Sequence, residues 1–264
     1  MAYLQMNFFS HSLMRTVPVN LFLPTDCREF AEITPEQMSP WKTLYLLHGV
    51  FGNYTDWLNN SLIQRYAQEK NIVVVMPSGD NAFYVDEPAS HNFYGRFIGQ
   101  ELVEFTRKLF PLSSRREDTW LGGLSMGGFG ALRNTLNYPE TFGAVIALSS
   151  ALITDSLMER TNDCPFFPER RDFAERIFGD LSAVAGSEND PVYLARRLKE
   201  QGTEPPEIFM ACGEQDSLLP ANRRFAKELE NCGFSFTFIT APGGHDWDFW
   251  DAYLKKGLDW LFSD

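Results

Sequence analysis

A chain of 264 residues that is 44% hydrophobic can bury one substantial core, so a single domain over residues 1–264 is expected. A formal net charge of -12 excludes a non-specific grip on nucleic acid or on an anionic membrane, which would repel such a surface; a small soluble partner is expected, and a homo-oligomer is compatible with it. Cys27, Cys164, Cys212 and Cys232 lie far apart without metal-ligand spacing and read as ordinary thiols. The leading MAYLQMNFFSHS lacks the basic start and continuous apolar core of a secretion signal, and no apolar run is long enough for a bilayer span, so the cytoplasm is the expected compartment.

In chain order, Leu4, Met6 and Phe8 alternate with polar or amphipathic neighbours, and Val17, Val19, Leu21 and Leu23 do the same. This predicts a leading antiparallel hairpin whose second strand lies near an edge because of Pro18. After a polar, proline-containing segment at 26–40 the pattern changes to short apolar runs: TLYLLHG, NIVVVMP, DTWLGG, GAVIALSS, EIFMACG and FSFTFITAPG. Between them fall helical spacings such as Ile98, Leu102, Phe105 and Leu109, then Phe225, Leu229 and Cys232, then Trp247, Trp250, Leu254, Leu258 and Leu261. That rhythm predicts an α/β fold, a mostly parallel sheet of about eight strands with helices on both faces. Residues 151–190 break the rhythm with Pro165, Phe166, Phe167 and Pro168 and predict a small insertion over the carboxyl edge of the sheet, where such folds bind ligands.

The stretch GGLSMGGFG places Ser125 directly after a strand and before an apolar-periodic helix carrying Leu132, Thr135 and Leu136. Strand, sharp turn and helix are the setting of a nucleophile elbow, in which Gly123 and Gly127 are required because a Cβ at either position would collide. The turn exposes the hydroxyl and leaves the Met126 N–H at a helix N-terminus, where a developing oxyanion is favoured. A serine needs a base, and the base needs an acid to hold its tautomer. His11 lies on the leading hairpin, His91 has no carboxylate partner by spacing, and His48 precedes the serine, whereas elbow hydrolases run serine, acid, histidine. His245, in APGGHDW, is therefore the expected base. Asp216 is the expected acid, with Glu214 as the alternate; Asp246 and Asp248 read as helix N-terminal acids, not as part of a metal site. The second oxyanion donor is expected from HGVFGNYTDW, at the Val50 N–H, with Phe51 as the fallback.

YLLHGVFGNYTDW, GLSMGGFGAL, CGEQD and PGGHDWDFW, in this order from about Tyr45 to Trp250, resemble the esterase D branch of the α/β hydrolases. That branch includes S-formylglutathione hydrolases, tributyrin-type esterases, feruloyl and acetylxylan esterases and mycolyltransferases, and the likeness is strongest to the tributyrin-type esterases. The resemblance implies the α/β-hydrolase fold, Ser125, Asp216 and His245 as a triad, Val50 and Met126 as oxyanion donors, and Trp57 and Tyr84 near the substrate. The HGGG string of many lipases is absent. The activity expected is hydrolysis of short acyl esters through an acyl-enzyme, with no cofactor and no metal, because Glu169, Arg170, Arg171 and Asp172 make the insertion too polar for the apolar lid of a lipase. A glutathione thioesterase, an acyltransferase to a sugar hydroxyl and a non-catalytic binding module remain the other readings. Phe166 and Phe167 are expected either in the pocket wall or at a subunit contact.

Overall fold

The computed structural model describes residues 1–26 and 40–263; Cys27 and most of the proline-containing segment lie outside the described residues. Among the described residues ten strands follow in order: β1 (Ala2–Ser10), β2 (Arg15–Leu23), β3 (Thr43–Leu47), β4 (Val73–Pro77), the two-residue strands β5 (Asp86–Glu87) and β6 (Asn92–Phe93), β7 (Thr119–Leu124), β8 (Ala144–Leu148), β9 (Glu207–Gly213) and β10 (Phe236–Ala241). Eight of them form one sheet in the order β1-β2-β4-β3-β7-β8-β9-β10. β1 pairs with β2, and β2 with β4, antiparallel, and all later pairings are parallel, so β2 alone runs against the rest. Pro18 faces Asn7 of β1, and the ladder to β4 starts one residue later at Val19, which is how a proline is accommodated one strand in from the edge.

The central strands are buried on both faces, which is why they read as continuous apolar runs. In β3, Tyr45 and Leu47 pack on one side with Phe129, Leu132, Leu194 and Phe225 from three crossover helices. Leu44 and Leu46 pack on the other with Trp250, Leu254 and Leu258 from the last helix, Trp247–Leu261. Local signals set the helix ends: the Asp190 carboxylate accepts the Val192 N–H at 3.0 Å, Pro191 opens the helix Pro191–Gln201, and Gly202 closes it in the left-handed conformation. One spacing fails. The helical stretch containing Ile98 and Leu102 has a π-helical turn at Phe97–Glu101, so its buried face continues through Val103 and Thr106 while Leu109 is exposed.

The chain goes from β3 to β4 on one side and returns to β7 on the other, so β3 and β7 are neighbours whose following loops diverge. That is the switch point of the sheet, and the crevice it opens lies at their carboxyl ends. The insertion at 151–190 crosses this edge with short 3-10 turns and the helix Arg171–Phe178.

Candidate active site

Ser125 follows β7 and sits at the switch point with φ 53° and ψ -117°, a backbone conformation that costs a non-glycine residue about 1–3 kcal/mol. Three backbone bonds hold it there. The Ser125 N–H donates to Leu148 O at 2.9 Å, and its carbonyl accepts from Ala151 N–H at 2.9 Å and Phe129 N–H at 3.0 Å. The turn is tight because main chain meets main chain: a Cβ on Gly123 would stand 2.3 Å from Gly127 O, and one on Gly127 would stand 2.4 Å from Leu47 O and 2.6 Å from His48 O. The helix Met126–Asn137 that follows is buried from Met126 to Leu136, so it cannot swing away to relieve the turn.

His245 and Asp216 arrive from two neighbouring loops. The loop after β9 carries Asp216 and the loop after β10 carries His245, and the two loops are tied by the Gln215 N–H to Gly243 O at 3.0 Å and the Gly243 N–H to Gln215 Oε1 at 2.7 Å. His245 Nε2 lies 3.0 Å from Ser125 Oγ, and His245 Nδ1 lies 2.8 Å from Asp216 Oδ2. The Asp216 side chain is buried, and its other oxygen accepts the Leu218 N–H at 2.8 Å. Burial raises the Asp216 carboxyl, but the bond to His245 and the Leu218 N–H outweigh it and hold it below its ordinary 3.8. Asp216 is thus an anion at neutral pH, one oxygen orienting the imidazole and the other held by the Leu218 N–H. The imidazole is 35% exposed and stands edge-on to Trp250 at 4.8 Å, so one side is open to a ligand and the other is braced. Glu214, the alternate acid, is exposed and uses its backbone N–H on Ala241 O. Asp246 caps the last helix through the Phe249 N–H at 3.0 Å.

The Met126 N–H opens its helix and the Val50 N–H lies in the turn after β3; neither has an acceptor among the described residues. The fallback donor is engaged elsewhere, because the Phe51 N–H donates to Asn81 Oδ1 at 2.8 Å. Asn81 was not visible as a site residue in the sequence, since only the fold brings it to this loop. His48 is built into the scaffold: its Nε2 accepts the Gly79 N–H at 2.8 Å, so Nδ1 carries the proton and donates to Gly49 O at 2.7 Å. Burial lowers its pKa, keeping it neutral. His11 and His91 are exposed; His91 packs on Phe93 and does not line the cavity.

Ser125 and His245 line a cavity of about 350 Å³. Its walls include Phe51, Phe83, Trp247 and Trp250 from the scaffold, and Ile153, Arg160, Phe166, Pro168 and Glu169 from the insertion. Trp57 and Tyr84, expected near the substrate, instead stand behind these walls. Trp57 is 1% exposed, donates to Leu47 O at 2.9 Å and backs Trp247 edge-on at 5.1 Å. Tyr84 is fully buried, and its hydroxyl donates to His48 O at 3.0 Å. Phe83 and Tyr84 both have positive φ, which turns the chain so that Phe83, not Tyr84, meets the cavity; nothing in NAFYVD signals that reversal. Phe166 belongs to the wall and contacts Phe51 edge-on at 6.0 Å, while Phe167 bridges Phe51 and Phe173. The insertion is less polar inside than its sequence suggests, because Arg170 pairs with Asp172 and Arg171 with Glu175 on the outside.

Among the described residues no helix is long and apolar enough to cross a membrane. The model of the Esterase family, described as putative esterase, matches residues 10–261. An acetyl esterase of Caldicellulosiruptor saccharolyticus is 40% identical over 261 residues, which cover 99% of this chain and 98% of that one. Two solved structures from Staphylococcus aureus are each 31% identical to it: FphF, a fluorophosphonate-binding serine hydrolase, substrate bound, at a TM-score of 0.86 over 100% of this chain and 99% of that one; and the S-formylglutathione hydrolase FrmB, apoenzyme, at 0.84 over 99% of each.

Proposed function

The chain belongs to the esterase family and is a serine carboxylesterase, and on that footing we propose that Ser125 is its nucleophile, His245 its base and Asp216 the acid that orients the base. In the first half-reaction His245 Nε2 takes the Ser125 proton as Oγ attacks the ester carbonyl. The Val50 and Met126 N–H groups receive the oxyanion, Asp216 stabilises the imidazolium, and the imidazolium returns the proton to the departing alcohol. Water, deprotonated by the same imidazole, then cleaves the acyl-enzyme. The observation that carries this reading is the unbroken pair of hydrogen bonds at 3.0 Å and 2.8 Å from serine to carboxylate. Trp57 and Tyr84 act on the substrate only through the loops and rings they hold. Val50 is favoured over Phe51 because the Phe51 N–H already has an acceptor.

The substrates proposed are small-molecule esters of short acids; the 40% identical acetyl esterase and the modest cavity support that size. Residues 1–264 act as one domain. The free thiols of Cys164, Cys212 and Cys232 favour a reducing compartment, the cytoplasm. A panel of nitrophenyl esters from C2 to C12, run with the wild type and with Ser125→Ala, tests the reading. Fastest turnover at C2 to C4, with loss of about 10⁶-fold in the variant, is the expected result. Faster turnover at C12 would remove the short-chain assignment, and an unimpaired variant would remove the nucleophile.

A further inference from the structure

Among the described residues, the cavity beside Ser125 carries one arginine or lysine cation. Among its lining residues the aromatic rings of Phe51, Phe83, Phe166, Trp247 and Trp250 are neutral, Asp56 and Glu169 are acids, and Arg160 supplies the single guanidinium. Arg160 donates from Nη1 to Pro168 O at 2.8 Å, which fixes the group against the insertion. Among the described residues its other guanidinium donors have no acceptor, and it forms no ion pair. The insertion's outward-facing arginines differ, since Arg170 and Arg171 each hold a carboxylate. The two acids of the wall are turned to other partners: Asp56 Oδ1 accepts the Asn53 N–H at 3.2 Å, and Glu169 Oε2 lies 3.5 Å from Cys164 Sγ.

A half-buried cation with no ion-pair partner has lost water for little charge in return. Burial accordingly works against its charged form, and Glu169 only partly opposes this. A planar guanidinium with a free edge is shaped for a carboxylate, which it binds through two parallel N–H groups. The net charge of -12 does not forbid this, because exposed charges beyond about 8 Å are screened at physiological salt while a contact inside the wall is not.

We propose that Arg160 is a specificity-determining residue, and that the esters this cavity prefers carry a carboxylate on the same molecule as the scissile ester, with an apolar body against the aromatic wall. The inference rests on the esterase reading above. The carboxylate can sit on the acyl half or on the alcohol half, and both binding modes offer the same chemistry to the guanidinium.

Two substrate pairs separate these. Monomethyl succinate against methyl butyrate places the charge on the acyl half; 4-acetoxybenzoate against its methyl ester places it on the leaving group. The readout is the ratio of kcat/KM, charged to neutral, compared between wild type and variants so that intrinsic reactivity cancels. In at least one pair the ratio is expected to fall by about tenfold in Arg160→Gln, as for loss of a charge-assisted bond, and to be partly retained in Arg160→Lys. In Glu169→Gln it is expected to rise. If Arg160→Gln does not fold, the Glu169→Gln ratio decides alone. Neutral esters cleaved by a Ser125-dependent route with ratios identical in wild type and every variant would overturn the role of Arg160 and leave the esterase reading standing. Failure of the wild type on all four esters would instead strike that reading itself.

Discussion

The turn that carries Ser125 and the insertion at residues 151–190 border the same cavity, yet they are held in opposite ways. At the turn, backbone packs on backbone: Gly123 against Gly127, Gly127 against the carbonyls of Leu47 and His48, and three main-chain bonds on Ser125. Across the insertion the backbone bonds close local turns, and side chains dock those turns on the body: Phe178 against Phe83 and Phe129, the buried Leu157, Ala174, Leu181 and Val184 among themselves, and edge-on aromatic contacts at the rim. Backbone contacts have no rotamers and no substitutes, whereas side-chain contacts have many. The position of the reacting oxygen is therefore tightly specified, and the shape of the wall around it is adjustable.

Five changes sharpen that contrast, in descending size. Asp216→Asn leaves the loop in place but presents an amide to the imidazole, which then favours the wrong tautomer. Steady-state assay on nitrophenyl acetate should show kcat lower by about 10⁴-fold with near-UV circular dichroism unchanged. Next come two glycines. Gly127→Ala drives a Cβ into the carbonyls of Leu47 and His48 and should cost about 3 kcal/mol in chemical denaturation. Gly186→Ala, in the insertion with φ +76° and nothing within 4 Å, should cost only about 1 kcal/mol, from the left-handed backbone alone. Equal costs would erase the distinction between the two regions.

Phe166→Ala removes the ring that meets Phe51 over the cavity. It should shift preference between C2 and C8 esters by about fivefold, in KM more than in kcat, the size expected for a partly exposed apolar contact. The smallest effect is on pH. Burial holds His48 neutral below its ordinary 6.5, so the unfolded chain takes up a proton there before the folded one does. Stability from this group is complete above about pH 6.5 and declines as pH falls toward the folded value, by at most about 1.4 kcal/mol per unit. In His48→Gln the loss of Tm between pH 7.5 and 5.5 should be shallower than in wild type; an equal slope would remove His48 as the cause.

The same contrast explains what could be read from sequence. The strands, their parallel order and the elbow were legible because they rest on periodicity and on glycines whose absence of a side chain is itself the signal. Ser125, Asp216 and His245 could be chosen because their order along the chain and their places after strands constrain them, and the structure brings the three side chains into hydrogen-bond contact. The cavity wall was not legible. Phe83 and Tyr84 exchange places through two positive φ angles, Trp57 lies one layer too deep, and Arg160 and Asn81 reach the site only through tertiary packing. Leu109 failed for a local reason, the π-helical turn upstream, which no apolar spacing reveals.

The account stands on Ser125 being the one hydroxyl made reactive by its surroundings, and peptide mapping after a fluorophosphonate probe tests this most directly. A single adduct on the peptide containing Ser125, formed in step with loss of ester hydrolysis and absent from His245→Ala at matched times, is the predicted result. Adduct on another residue, or hydrolysis persisting after Ser125 is fully modified, would contradict it.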